Sequence, residues 1–309
     1  MTELQKYLAE EVAEDLADGI ITRREAVRRL GLMGVTGAAA SALLASFAAG
    51  VAPAAAPGGR KRGGRRGTET GWAAVETAEI TFAGPRGPLT GAWAEARKAR
   101  GGVLVIHENR GLTDHIETVA GRFAASGWSA LALDLLSEEG GTRSFPDEAA
   151  VAAALSQISA TNPGRFDADM KAAVTELDRR VRSHTLAAIG FCFGGGMIWR
   201  LLAAGERRLD AAAPFYGPFP SDGDLRRARA AVLGVYGGLD TRVNATLPTA
   251  KAALQAARLK HELLTFEDAD HAFFNDTGAR FEPHASAEAW RRTLNWFDAA
   301  ADRGGHHRH

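Results

Sequence analysis

At 309 residues, 46% of them hydrophobic, the chain is long enough to bury one large α/β core or two smaller ones. Lys+Arg and Asp+Glu balance at 37 each, which removes the global charge that would argue for a nucleic-acid or acidic partner. A single cysteine excludes an intramolecular disulfide and fits either a cytosolic protein or an exported one that does without disulfides.

Residues 1–20 have helical periodicity and an acidic bias, closing at Gly19. A basic stretch follows, Thr22-Arg23-Arg24-Glu25-Ala26-Val27-Arg28-Arg29-Leu30, and then a charge-free run rich in Ala, Gly and Leu over residues 31–56. Basic residues leading into a weakly apolar segment with small residues near its end read as an export signal over residues 1–56. The paired Arg23-Arg24 resemble a twin-arginine signal, so the twin-arginine export machinery is an expected partner and the expected location is periplasmic or extracellular. The match is partial, because Ala26 stands where a large apolar residue is usual. A membrane anchor, a surface helix and a cytoplasmic location are the alternatives. Cleavage is expected within residues 52–56.

Residues 57–71 turn to Gly, Arg and Pro, a composition that cannot bury a core and reads as a flexible basic linker. Folded structure is expected from Trp72, with the main domain over residues 72–302 and a disordered tail at 303–309, where His306, His307 and His309 offer only adventitious metal binding.

Runs 78–82 and 89–96, separated by Gly84-Pro85-Arg86-Gly87-Pro88, read as an antiparallel hairpin. Strand-like runs then fall at 103–107, 130–135, 185–191, 211–216, 232–236 and 261–266. They alternate with helical segments at 115–126, 147–158, 166–181, 197–204, 247–259 and 286–300. A hairpin followed by repeated β-α units predicts an α/β fold: a mostly parallel twisted sheet with helices on both faces, and ligands at the carboxyl ends of its strands. Residues 137–163, rich in Gly, Ser and Ala, are the place to look for a lid or cap, whose existence the sequence leaves open.

The strand at 185–191 runs into Gly190-Phe191-Cys192-Phe193-Gly194 and then a helix. Strand, G-x-nucleophile-x-G, helix is the nucleophile elbow of α/β-hydrolases, with Cys in the usual place of Ser. The helix N-terminus favours a thiolate there. An inert, packed thiol is the alternative for a lone Cys192. Two further residues follow strands in the hydrolase order of nucleophile, acid, histidine: Asp240 after the strand at 232–236, and His271 after the strand at 261–266. Asp268 and Asp270 are assigned to surface turns, and His115, His184, His261 and His284 to exposed or core positions. At the end of the strand at 103–107, a buried Glu108 needs a hydrogen-bonding partner, for which the thiol is the candidate. His107-Glu108 is not the start of a zinc motif, because Gly111 stands where its second histidine belongs. No metal and no cofactor is expected.

His107-Glu108-Asn109-Arg110-Gly111-Leu112, Gly190-Phe191-Cys192-Phe193-Gly194-Gly195, Phe215-Tyr216-Gly217, Gly238-Leu239-Asp240 and His271-Ala272-Phe273 together resemble the dienelactone hydrolase (carboxymethylenebutenolidase) family, over about residues 75–300. The resemblance implies a Cys192 nucleophile, a His271 base, an Asp240 that orients the base, and a Glu108 that meets the thiol at rest. It also implies an oxyanion hole from the backbone N–H groups of Asn109 and Phe193, a covalent thioester and a small lactone or ester as substrate. The family grips a substrate carboxylate with arginines, one just after the histidine. This chain has Phe273-Phe274-Asn275 there, which leaves Arg110, Arg143 and Arg280 as candidates. A broader carboxylesterase or thioesterase, and a non-catalytic thiol-bearing binding protein on the same fold, are the alternative functions. The chain is expected to be a monomer.

Overall fold

A computed structural model describes residues 1–48, 72–181 and 185–306. The predicted linker and cleavage site, and His184, lie outside the described residues. Eight strands make one sheet: β1 (Ala78–Ala83), β2 (Pro88–Ala94), β3 (Gly102–Ile106), β4 (Ser129–Leu133), β5 (Leu186–Phe191), β6 (Ala211–Phe215), β7 (Ala231–Gly237) and β8 (His261–Phe266). They stand in the order β1-β2-β4-β3-β5-β6-β7-β8. β1 and β2 form the predicted antiparallel hairpin, closed by Gly84 N–H on Gly87 O. β2 meets β4 antiparallel, and every later pair is parallel.

The central strands are continuous apolar runs because both of their faces are covered: every residue of β3, β5 and β7 is buried. On one face Phe123 of α4 (Asp114–Ala125) packs on Trp290 and Phe297 of α10 (Pro283–His306). Helices α6 (Gly164–Val181) and α7 (Phe193–Ala203) pack together on the sheet as well. Chain order reverses between β3 and β5, since β4 lies on one side of β3 and β5 on the other. An open α/β sheet forms its ligand crevice at such a point. This is the predicted α/β-hydrolase architecture.

Two boundaries differ from expectation. α10 continues to His306, past the predicted start of the tail at 303. At the other end, folded structure begins well before Trp72. α1 (Glu3–Ala17), α2 (Arg23–Leu32) and α3 (Gly37–Ala48) are packed against one another, and α1 and α2 also lie on α5 (Glu148–Thr161). Thr2 and Gln5 form a capping box that starts α1, and Leu8, Ala9, Val12 and Ala13 bury one side of it. Part of the acidity noted over residues 1–20 is buried, at Glu11 and Asp15. Arg23 and Arg24, at the start of α2, are exposed. Among the described residues no helix is long and apolar enough to cross a membrane. Residues 137–163 form two short 3-10 turns and α5, and α5 covers the N-terminal helices.

Candidate active site

Cys192 stands between β5 and α7 with φ 56° and ψ −119°. A non-glycine residue rarely takes a positive φ, and holding it there costs about 1–3 kcal/mol that surrounding contacts must offset. Cys192 N–H donates to Phe215 O at 3.0 Å, and Gly196 N–H donates to Cys192 O at 3.1 Å. The flanking glycines have a packing reason. A Cβ on Gly190 would run into the carbonyl of Gly194, and one on Gly194 would lie 2.5 Å from His107 O. Strand and helix approach too closely there for any side chain.

Asp240 is fully buried at the start of α8 (Thr241–Asn244), where its Oδ1 accepts the N–H of Val243 at 3.0 Å. Its Oδ2 lies 2.6 Å from Nδ1 of His271, also fully buried. A carboxylate only accepts, so the Nδ1 proton of His271 points at Asp240 and Nε2 is left to face the thiol side. Asp270 accepts from the backbone N–H of His271 at 2.6 Å rather than reaching its ring, and Asp268 is exposed, as the sequence suggests for both. Burial by itself disfavours a charged His271, but the Asp240 carboxylate outweighs it and holds the imidazole well above its ordinary range. Burial likewise acts to raise Asp240, and the His271 charge reverses this, leaving the carboxyl below its usual value.

The Cys192 thiol is 1% exposed. It donates to the Glu11 carboxylate, with Sγ 3.2 Å from Oε1 and 3.3 Å from Oε2, and it accepts the Tyr7 hydroxyl at 3.3 Å. Glu11 Oε1 lies 4.0 Å from His271 Nε2. Donor atoms of Glu11, Cys192 and His271 fall within 4.8 Å of one another, and this is the one group of metal-binding type among the described residues. Sulfur, imidazole and carboxylate are ligands zinc accepts. Here the Cys192–Glu11 hydrogen bond already accounts for much of their closeness. Burial, with the Glu11 charge added to it, pushes the thiol up to about 11 despite the nearby imidazole. Burial raises Glu11 as well.

Two expectations need correction. Glu108 is buried, but its Oε2 accepts from Asn275 Nδ2 at 2.8 Å, and Glu11 makes the contact with the thiol that Glu108 was expected to make. Arg143 is exposed and tied to Glu117 at 2.8 Å, and it lines a neighbouring cavity with Arg110 and Asn275 rather than the one beside Cys192. Arg110, paired with Glu148 at 3.6 Å, and Arg280 both line the cavity beside Cys192, together with Glu11, Glu108 and Asn109. Phe193 is the first residue of α7, where helix N–H groups have no intrahelical partner, and Asn109 follows β3. His107 is structural: Nε2 accepts Leu135 N–H at 3.2 Å, so Nδ1 donates to Glu108 O at 2.6 Å. His115 is a core residue, bonded to Asp276 at 2.9 Å, and His284 is exposed.

Sequence reasoning missed Tyr7, Glu11 and Arg242. Arg242 Nη2 lies 2.9 Å from Glu14, and its guanidinium sits 4.4 Å over the Tyr7 ring. The one available signal was the placing of Tyr7, Glu11, Glu14, Asp15 and Asp18 on a single side of a helix.

A model of the dienelactone hydrolase family matches residues 89–301. A protein of Escherichia coli O157:H7, provisionally named carboxymethylenebutenolidase, is 33% identical over 208 residues, which cover 63% of this chain and 75% of that one. A relative in Saccharolobus solfataricus with the same provisional name is 29% identical over 226 residues, 63% of this chain and 87% of its own. Among solved structures, a dienelactone hydrolase homologue from Klebsiella pneumoniae superposes with a TM-score of 0.62 at 27% identity, over 72% of this chain and 98% of that one. A dienelactone hydrolase-like promiscuous phosphotriesterase from metagenomic libraries, at 24% identity and a TM-score of 0.65 over 74% of this chain and 99% of its own, shares the fold. With the family match spanning β2 to α10, the chain belongs to the dienelactone hydrolase family of α/β-hydrolases.

Proposed function

We propose that this hydrolase cleaves a small lactone or carboxylic ester through a Cys192-His271-Asp240 triad and a thioester intermediate. One observation carries the proposal: the buried His271 ring has Nδ1 on Asp240 at 2.6 Å and contributes a ring nitrogen within 4.8 Å of the sulfur at the strained elbow. In this reading the neutral form of His271 takes the thiol proton at Nε2 as sulfur bonds to the carbonyl carbon. The backbone N–H groups of Phe193 and Asn109 receive the oxyanion. The carbon–oxygen bond to the leaving group then breaks, and the leaving oxygen recovers the proton from His271. Water, deprotonated by the same nitrogen, hydrolyses the thioester. Arg110 and Arg280 are the cations in reach of a substrate carboxylate.

A broader esterase or thioesterase is the second reading. It is favoured by Phe273-Phe274-Asn275 after the histidine, where Asn275 binds Glu108 and supplies no cation. Export by the twin-arginine route belongs to the proposal on the sequence of residues 22–56 alone, and fractionation of the producing cell tests it. Turnover of a cis-dienelactone and of a p-nitrophenyl ester by the full chain, beside Cys192→Ala, tests the chemistry. Lactone turnover lost in the variant supports the family reaction, and ester turnover alone supports the second reading. No turnover of either, by the full chain or once the N-terminal helix α1 is loosened by Glu14→Gln/Asp15→Asn/Asp18→Asn, leaves a thiol-bearing binding protein.

A further inference from the structure

Tyr7, Glu11, Glu14, Asp15 and Asp18 form one stripe along α1, and the stripe lies across the site. Tyr7 and Glu11 hold the Cys192 sulfur. Glu14 pairs with Arg242 at 2.9 Å. Asp15 and Asp18 pair with Arg280 at 3.0 and 2.5 Å. The cavity left beside the sulfur is about 40 Å³. That is the scale of one water molecule, whereas pockets for small-molecule ligands run to about 300–1,000 Å³. With the sulfur 1% exposed, the cavity beside it is too small for a lactone or ester while α1 is in place. The family match begins at residue 89, so α1 is an addition to the matched hydrolase body. The stripe is also unlike a core contact. It carries the buried acids Glu11 and Asp15, and ion pairs with Arg242 and Arg280 hold it on the body beside the apolar contacts of Leu8, Ala9, Val12 and Ala13.

We propose that α1 is an intramolecular plug, its acidic stripe standing where the substrate must bind, so that the hydrolase is closed until α1 leaves. Naming the displaced ligand a substrate rests on the proposed function; the occlusion of Cys192 does not. Withdrawal of α1 frees the thiol from its carboxylate and releases Arg242 and Arg280 to the site together.

Because Cys192 is the single cysteine, its alkylation by iodoacetamide reads occlusion without any assumption about catalysis. The full chain is compared with Glu14→Gln/Asp15→Asn/Asp18→Asn, whose folding is checked by thermal unfolding. The parent alone is also followed from about 0.01 M to about 1 M salt, where the screening length falls from about 30 Å to about 3 Å. A plug predicts alkylation faster by at least about tenfold in the variant, as the loss of several ion pairs supports, and a rise with salt in the parent. Equal rates in a folded variant and the parent overturn the plug. Ester turnover is recorded on the same samples: faster alkylation without turnover keeps the plug and rejects the hydrolase.

Discussion

Asp240→Asn isolates the orienting role of the acid, and the structure says what the amide must do. Asp240 Oδ1 accepts Val243 N–H at 3.0 Å, while Oδ2 faces His271 Nδ1 at 2.6 Å. An asparagine has one oxygen, and only that oxygen can take the Val243 donor. Its NH2 group then points at His271 Nδ1, which must become the acceptor. The imidazole proton moves to Nε2, the atom that has to receive the thiol proton. The buried imidazolium formed during reaction also loses its counter-charge. Removing one partner of a buried pair costs about 3–5 kcal/mol. At about 1.36 kcal/mol per decade, that is a fall in kcat/KM of roughly two to nearly four decades. The assay is p-nitrophenyl ester hydrolysis by the two full chains, each carrying Glu14→Gln/Asp15→Asn/Asp18→Asn to loosen α1, with thermal unfolding as the check on folding. A folded variant that loses less than about tenfold refutes the orienting role of Asp240.

Gly194→Ala puts a Cβ 2.5 Å from the His107 carbonyl oxygen, a backbone atom that cannot step aside. Overpacking of this kind costs about 1–3 kcal/mol, read as a lower denaturant midpoint. Asp276→Asn removes the counter-charge of the buried Arg122, which it meets at 2.5 Å, and is expected to lower stability by about 3–5 kcal/mol. The thiol supplies a pH test. Its value is raised to about 11, so the reactive thiolate is scarce at neutral pH, and alkylation of Cys192 climbs with pH until about 11. The same shift makes the native state hold a proton that the unfolded chain gives up near its ordinary value. This contribution to stability is therefore complete below about 8.5 and declines from there towards about 11. An alkylation inflection below neutral pH contradicts the environment described for the sulfur.

The sheet was legible because its central strands are buried on both faces and read as unbroken apolar runs, as in 185–191 and 232–236. Cys192 and Asp240 were legible because each follows such a strand, and His271 because it follows the half-buried edge strand β8, while glycines mark the elbow where backbones touch. The partner of Glu108 was not legible. Asn275 lies far along the chain, and nothing local ties it to the end of β3. The role of α1 was hidden for a physical reason. Leu8, Ala9, Val12 and Ala13 bury an apolar side, but Tyr7 and Glu11 also face inward, and hydrophobic patterning carries no sign of an acid buried against a distant thiol. Composition led to the expectation of an export segment over residues 1–56, and composition has no term for a helix whose acids pair with distant arginines.

The central claim, a covalent acyl-enzyme on Cys192, is tested most directly by mass. The full chain is mixed with a p-nitrophenyl ester in high salt, quenched in acid during turnover and digested. The account predicts one acyl group on the peptide holding Cys192, labile to hydroxylamine, with neither adduct nor turnover in Cys192→Ala. Turnover that persists in Cys192→Ala, or an acyl group carried by another residue during turnover, contradicts it.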